Sequence, residues 1–316
     1  VRVLARRGYV ATREEDLARG GDASAAQANL EGQEVSKRPL APALLSGRAR
    51  SGLPLRLAAY IRDNDGSSKA RVRVVLEIDN SRVRVDRVPT PWRATLDVTI
   101  LAVGLHREPT VPFDERLHLS LAPRDVAEGW WLVTRAAWLP AGVNQLRVVV
   151  RDVLSGRSGL ATLRLVVPDV TQPYLSTPLV TDRALPPSGD TPPELVPAAH
   201  RRFDGSGPLF CQYEIYTFGG ESLRDVPRLY GSYLLQGPDG LVVSADRPTL
   251  IETDALRAVR RVVLPADRLD DGPHVLAITV EDRLAGHTLA ARVPFEIARR
   301  EEEQTEEPGA VRDEGR

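Results

Sequence analysis

The side chains of this chain that could do chemistry are five histidines, one cysteine and scattered carboxylates. The histidines are His106, His118, His200, His274 and His287, and no two have metal-chelating spacing. His274 and His287 fall on opposite arms of one expected hairpin and read as exposed strand residues; the matching positions of a related hairpin are Asn144 and Arg157. Asp63-Asn64-Asp65-Gly66 begins like a calcium loop, with oxygen ligands at alternating positions. Val72 and Val74 stand where such a loop needs its glutamate, so a turn is expected. Asp204-Gly205-Ser206-Gly207 reads the same way. Cys211 has no nearby histidine to activate it and reads as a small core residue. The sequence has no G-x-S-x-G elbow, no phosphate-cradling loop and no H-E-x-x-H pair. It therefore offers no catalytic set, no metal ligands and no cofactor site.

Two aromatic residues point to binding instead. Trp130 and Trp131 are adjacent in a strand-like run, so one should face outward. An outward tryptophan can stack on a sugar, dock a protein partner or cover a domain seam.

The elements that position these residues are strands. The stretch from Leu139 to Val167 reads as a β-hairpin and returns, shifted by 130 residues without a gap, from Leu269 to Ile297. Leu146, Val148 and Val150 fall on Leu276, Ile278 and Val280; Asp152 falls on Asp282 and Gly156 on Gly286. Alternation puts the matched apolar residues on one face of each arm. An aspartate repeated at a strand end suits a turn former, which accepts from nearby backbone N–H groups. Two hairpins imply two domains of one kind.

Taken in order, residues 1–11 read as the last strand of a domain that begins upstream, and residues 12–48 as a linker, part helical. Residues 49–169 read as one β-sandwich, built of short alternating strands between Gly, Pro and Asp turns. Residues 170–202 carry seven prolines and read as an extended linker, with one strand at 174–179 docking on the next domain. Residues 203–298 read as a second sandwich. Its opening GPLFCQYEIYTF lines up with LPLRLAAYIRD, setting Leu209 on Leu55 and Cys211 on Leu57. Residues 299–316 read as a disordered acidic tail.

Composition narrows the function. A net charge of −1 gives no pull toward nucleic acid, and no run of 18 apolar residues is present to cross a membrane as a helix. A single cysteine allows no intrachain disulfide. The absence of methionine suggests a fragment or a processed product.

Several segments resemble the region that follows the von Willebrand factor A-type domain in VWFA-related proteins of the acidobacterial type. They are VRVLARRGYVA at 1–11, LPLRLAAYIRD at 53–63, and LPAGVNQLRVVVRDVLSGRSG at 139–159, closed by VPD at 167–169. The resemblance implies an exported or envelope-associated bacterial protein whose A-type domain binds metal through D-x-S-x-S. That motif is absent here, so no metal site carries over. The reading that results is all-β: two tandem immunoglobulin-like sandwiches, non-catalytic, extracytoplasmic, binding another protein or a cell-surface component. The alternative is a carbohydrate-binding or accessory module of a secreted hydrolase. An enzyme proper, with a pocket of converging polar groups, ranks third.

Overall fold

A computed structural model describes residues 52–64, 68–88, 90–104, 107–122, 126, 129–186, 193–216, 227–252 and 257–299. The expected N-terminal strand and linker and the acidic tail from Arg300 onward lie outside the described residues.

The chain is all-β and forms two immunoglobulin-like antiparallel sandwiches. The first uses β1 (Leu55–Asn64), β2 (Lys69–Asp79), β3 (Trp92–Gly104), β4 (Arg107–Leu121), β5 (Trp130–Pro140), β6 (Val143–Asp152) and β7 (Ser158–Arg164). One sheet has the order β1-β2-β5 and the other β4-β3-β6-β7. The first, second and fifth strands thus face the rest, the division expected of this fold.

The second sandwich uses β8 (Tyr174–Leu175), β9 (Leu179–Thr181), β10 (Arg202–Phe203), β11 (Leu209–Tyr216), β12 (Leu229–Gln236), β13 (Val242–Ile251), β14 (Arg257–Leu264), β15 (Gly272–Asp282) and β16 (His287–Ile297). β14-β11-β8 form one sheet, with β9 also on β11, and β10-β16-β15-β12-β13 form the other. β10 joins β16 in parallel, while the other ladders of this sandwich are antiparallel.

Alternation builds both cores. Ala70, Val72, Val74, Leu76 and Ile78 of β2 point inward against Leu146, Val148 and Val150 of β6 and against Trp131, all nearly solvent-free. Leu209, Cys211, Tyr213 and Ile215 of β11 face Leu276, Ile278 and Val280 in the same manner. Each such aliphatic side chain stabilises the fold by about 1.5–3 kcal/mol when fully buried.

The repeated hairpin is present in both sandwiches with the same register. Val148 pairs with Ala161 and Leu146 with Leu163; Ile278 pairs with Ala291 and Leu276 with Val293. In both turns the glycine is left-handed, Gly156 at φ 70° and Gly286 at φ 72°. The Asp152 and Asp282 carboxylates accept from the N–H groups of Leu154 and Leu284, each at 3.0 Å. Asp152 goes further. Wholly buried, it also accepts from the Arg84 N–H at 2.9 Å and the Ser155 hydroxyl, tying the hairpin to the β2–β3 connection.

Two alignments drawn from the sequence are corrected. β1 is an edge strand on β2, whereas β11 is the central strand of its sheet, so the counterpart of β11 is β2 and not β1. Both candidates alternate with the same period, and alternation alone does not separate edge from centre. Upstream of the hairpin the copies also diverge. β5 ends at Pro140, next to β6, whereas Leu269 follows a 3-10 turn, Ala266–Arg268, inserted after β14.

Candidate functional site

The proline-rich segment between the sandwiches is a packed element, not an open tether. After Thr181 it folds back on itself: the Leu185 N–H donates to Glu194 at 2.7 Å, the Val196 N–H to Arg183 at 3.1 Å, and Ala184 bridges Leu195. This strap lies on the outer face of the β1-β2-β5 sheet. Leu179, Leu195 and Val196 pack there with Ala58, Tyr60, Val75 and Leu132, with Leu185 and Phe210 at the margin. Pro178 and Pro197 are buried in the strap. Lacking an N–H, neither brings a donor into a dry seam.

Hydrogen bonds fix the strap at both ends. The Ser176 N–H donates to Glu214 of β11 at 2.8 Å, and the next N–H, Thr177, donates to Ile61 of β1 at 2.9 Å. The Thr177 hydroxyl accepts from the Ile61 N–H at 3.0 Å, and Ser176 Oγ from the Glu214 N–H at 2.8 Å. Consecutive strap residues are thereby stitched to different sandwiches. Near the other end, the Tyr60 hydroxyl donates to Ala198 at 2.7 Å.

Two buried carboxylates anchor the seam. Glu77 of β2, whose side chain is 0% exposed, faces the strap. Its oxygens lie 2.8 and 3.1 Å from His200 Nδ1, accept from the Ala199 N–H at 3.3 Å, and meet Arg56 at 3.6 Å. Burial alone would raise the Glu77 carboxyl; His200, the Ala199 N–H and Arg56 outweigh it and hold the group below its ordinary range. Glu214 of β11 meets Arg62 at 2.6 Å and Arg257 at 3.0 Å, and accepts from the Tyr216 hydroxyl. Tyr216 stacks on Tyr174, ring centroids 4.7 Å apart. A small cleft lined by Tyr60, Arg62, Arg73, Ser176, Gln212 and Glu214 opens at this junction.

The residues singled out in the sequence are distributed otherwise. Trp131 is fully buried in the first core and has no surface to offer a ligand. Trp130 is the outward member, partly exposed, with the Arg56 guanidinium 3.8 Å over its ring. His274 is buried, a correction to the exposed reading: it stacks on Phe295 at 5.4 Å and its Nδ1 lies 3.0 Å from the Gly272 carbonyl. Strand register separates it from His287: His274 pairs with Phe295, and His287 pairs with Asp282 at the far end of the hairpin. Cys211 is buried and its thiol is pushed up to about 12 by desolvation, which keeps it protonated and unreactive. Asp204 forms a turn, accepting from the Ser206 N–H at 3.0 Å. His106 and the turn after Asn64 lie outside the described residues. Among the described residues, no three of His, Cys, Asp and Glu gather as metal ligands would.

Sequence reasoning missed the seam. Its partners, Glu77 with His200 and Arg62 with Glu214, are remote in the chain. One signal was present: Glu77 sits within VRVVLEID, a strand otherwise apolar enough to be covered on both faces.

No protein-family model matches the chain, and no curated protein matches it. Among solved structures, the fibronectin(III)-like modules of Clostridium thermocellum CbhA are similar at 12% identity and a TM-score of 0.24, over 78% of this chain and 95% of that one. The fold assignment rests on the strand order and register described above. No helix among the described residues is long and apolar enough to cross a membrane.

Proposed function

We propose that this chain is a non-catalytic scaffold, a pair of β-sandwiches held at one mutual orientation to carry and present binding surface. The observation that supports this most is the strap. A flexible tether would be hydrophilic and open. Here the connection contributes apolar side chains to a shared layer and hydrogen bonds to both sandwiches. The polar groups of the junction cleft are already engaged with one another, as Arg62 and Glu214 illustrate, which suits a structural joint better than a reaction centre.

In this reading the protein is exported or envelope-associated and belongs to the VWFA-related type. The sandwiches space an A-type domain from its surroundings, and the partner is another protein or a cell-surface component. Small-angle scattering of the full chain tests the joint. The expected result is a particle whose largest dimension does not change when salt is raised; expansion with salt would show that the sandwiches separate.

A second reading has one observation in its favour. Trp130 is partly exposed on the sheet face that carries the strap, as a sugar-stacking residue would be. The Arg56 guanidinium occupies that ring face and would have to move aside.

A further inference from the structure

β14 is the outermost strand of the β14-β11-β8 sheet, and among the described residues it pairs with β11 alone. An unpaired edge is a row of backbone donors and acceptors that another strand can occupy, and sheets ordinarily blunt it. β13 and β4, edges of two other sheets, are blunted in this way. Each has two register shifts against its inner neighbour, and each contains proline, Pro248 in β13 and Pro112 in β4. β14 has neither device. It pairs with β11 from Arg257 to Leu264 without a shift and contains no proline.

Its outward side chains alternate. Arg257, Val259, Arg261 and Val263 lie opposite Tyr216, Glu214, Gln212 and Phe210 of β11, on the face away from the second core. The strap covers β11 on that face: the Ser176 N–H bonds Glu214, and Phe210 sits at the margin of the strap's apolar layer. The cover stops short of β14, where Val259 and Val263 are 52% and 57% exposed. The apolar layer of the seam therefore continues, through Phe210 and Val263, to a strand edge that is open among the described residues.

Charge selects the occupant. A second copy could pair antiparallel with β14 about a two-fold axis. Centred on residue 259, that pairing sets Arg257 opposite the copy's Arg261; centred on 260 or 261, it sets an arginine opposite itself. Like charges directly opposite one another are destabilising, so the edge favours a partner of the other sign. Arg257 already meets Glu214 at 3.0 Å, whereas Arg261 donates to the neutral Gln212 at 2.7 Å and, among the described residues, meets no carboxylate.

We propose that β14 is a strand-addition site for an extended acidic segment of a partner protein. Running antiparallel, the segment places aliphatic side chains opposite Val263 and Val259 and carboxylates opposite Arg261 and Arg257, at alternate positions. Main-chain hydrogen bonds supply affinity, and the alternate side chains supply specificity. The proposal rests on the scaffold reading for its protein partner and adds the surface and the partner's chemistry. Scattering measures the joint and does not involve β14, so either can fail without the other.

The test is fluorescence anisotropy of the full chain with short, labelled, end-blocked peptides. One alternates valine and glutamate at every second position with threonine between them; the other has lysine in place of glutamate. The glutamate peptide is expected to bind about tenfold or more tightly than the lysine peptide. Arg261→Glu, at an exposed position, is expected to reverse that order, with circular dichroism confirming that the variant folds. Methylating the edge-facing amide nitrogens of the glutamate peptide is expected to abolish binding, since an added strand needs those N–H groups. Equal affinity for the two peptides, an order unchanged by Arg261→Glu, or binding that survives methylation of either alternate set of amides would overturn the proposal. A dimer of the unaltered chain in sedimentation that Val259→Glu dissociates would overturn it too, and would assign the edge to a second copy.

Discussion

Arg62 on the first sandwich and Glu214 on the second meet at 2.6 Å, the carboxylate nearly solvent-free and the guanidinium 23% exposed. Arg257 and Tyr216 complete the carboxylate's shell from within its own sandwich. A buried carboxylate that loses a cation costs more than the exposed pair would gain in water. Arg62→Ala is accordingly expected to lower stability by about 1–3 kcal/mol, and Glu214→Ala by at least as much. Urea unfolding with the slope compared between variants checks this. An effect within a few tenths of a kcal/mol would mean that the pair is not formed.

The Glu77 anchor predicts acid sensitivity. Its folded pKa lies below its ordinary value of 4.5, so the stability it provides is complete above that pH and is lost as pH falls through the folded value. Glu77→Gln should flatten the stability profile between about pH 4.5 and the acid limit while lowering stability at neutral pH. If the parent and the variant lose stability in parallel on acidification, Glu77 is not the group responsible.

The tyrosines make the opposite prediction at high pH. Desolvation pushes Tyr60 and Tyr213 up to about 12, and burial together with Glu214 pushes Tyr216 up as well. Raised phenol values mean stability that is full below about pH 10 and declines as pH climbs toward the folded values. Absorbance titration of phenolate should show a late group, Tyr60, Tyr213 and Tyr216, that ionises only together with unfolding. Titration of all seven tyrosines in one step near pH 10 would contradict their burial.

The two copies of the hairpin offer an internal comparison. Asp152 is buried and has acquired Arg84 and Ser155 as partners, whereas Asp282 keeps its turn contacts and is partly exposed. Asp152→Ala should therefore destabilise by about 2–4 kcal/mol and Asp282→Ala by about 1 kcal/mol. Thermal unfolding of the two variants side by side decides the ordering, and equal losses would refute the added role of Asp152.

Trp130→Ala addresses the sugar-binding alternative. On the scaffold reading, retention of the full chain on insoluble polysaccharide is absent and the substitution changes nothing. Retention that disappears with the tryptophan would favour the carbohydrate reading.

Much of this fold was legible because strand period and turn chemistry are local. Leu146, Val148 and Val150 alternate, Asp152 and Gly156 close the turn, and the same pattern returns 130 residues later. Cys211 was placed in the core by an alignment with Leu57 that the structure replaces with one on β2, and it is buried. The strap was not legible. Leu179, Leu185, Leu195 and Val196 are irregularly spaced among prolines, and Tyr60 and Val75 occupy the face that alternation assigns to solvent. Burial of both faces of β2 depends on a segment more than 100 residues later, and no local pattern carries that information. Trp130 and Trp131 show the same division: adjacency required one to face out, and only the register of β5 against β2 says which.

The joint itself can be measured directly by pulsed dipolar spectroscopy between spin labels at two exposed positions, Ser120→Cys on the first sandwich and Leu284→Cys on the second. Cys211, buried in its core, does not take up label. A single narrow distance distribution that broadens when Arg62→Ala and Glu77→Ala are introduced is the predicted result. A broad distribution in the otherwise unaltered chain would contradict a fixed pair of sandwiches.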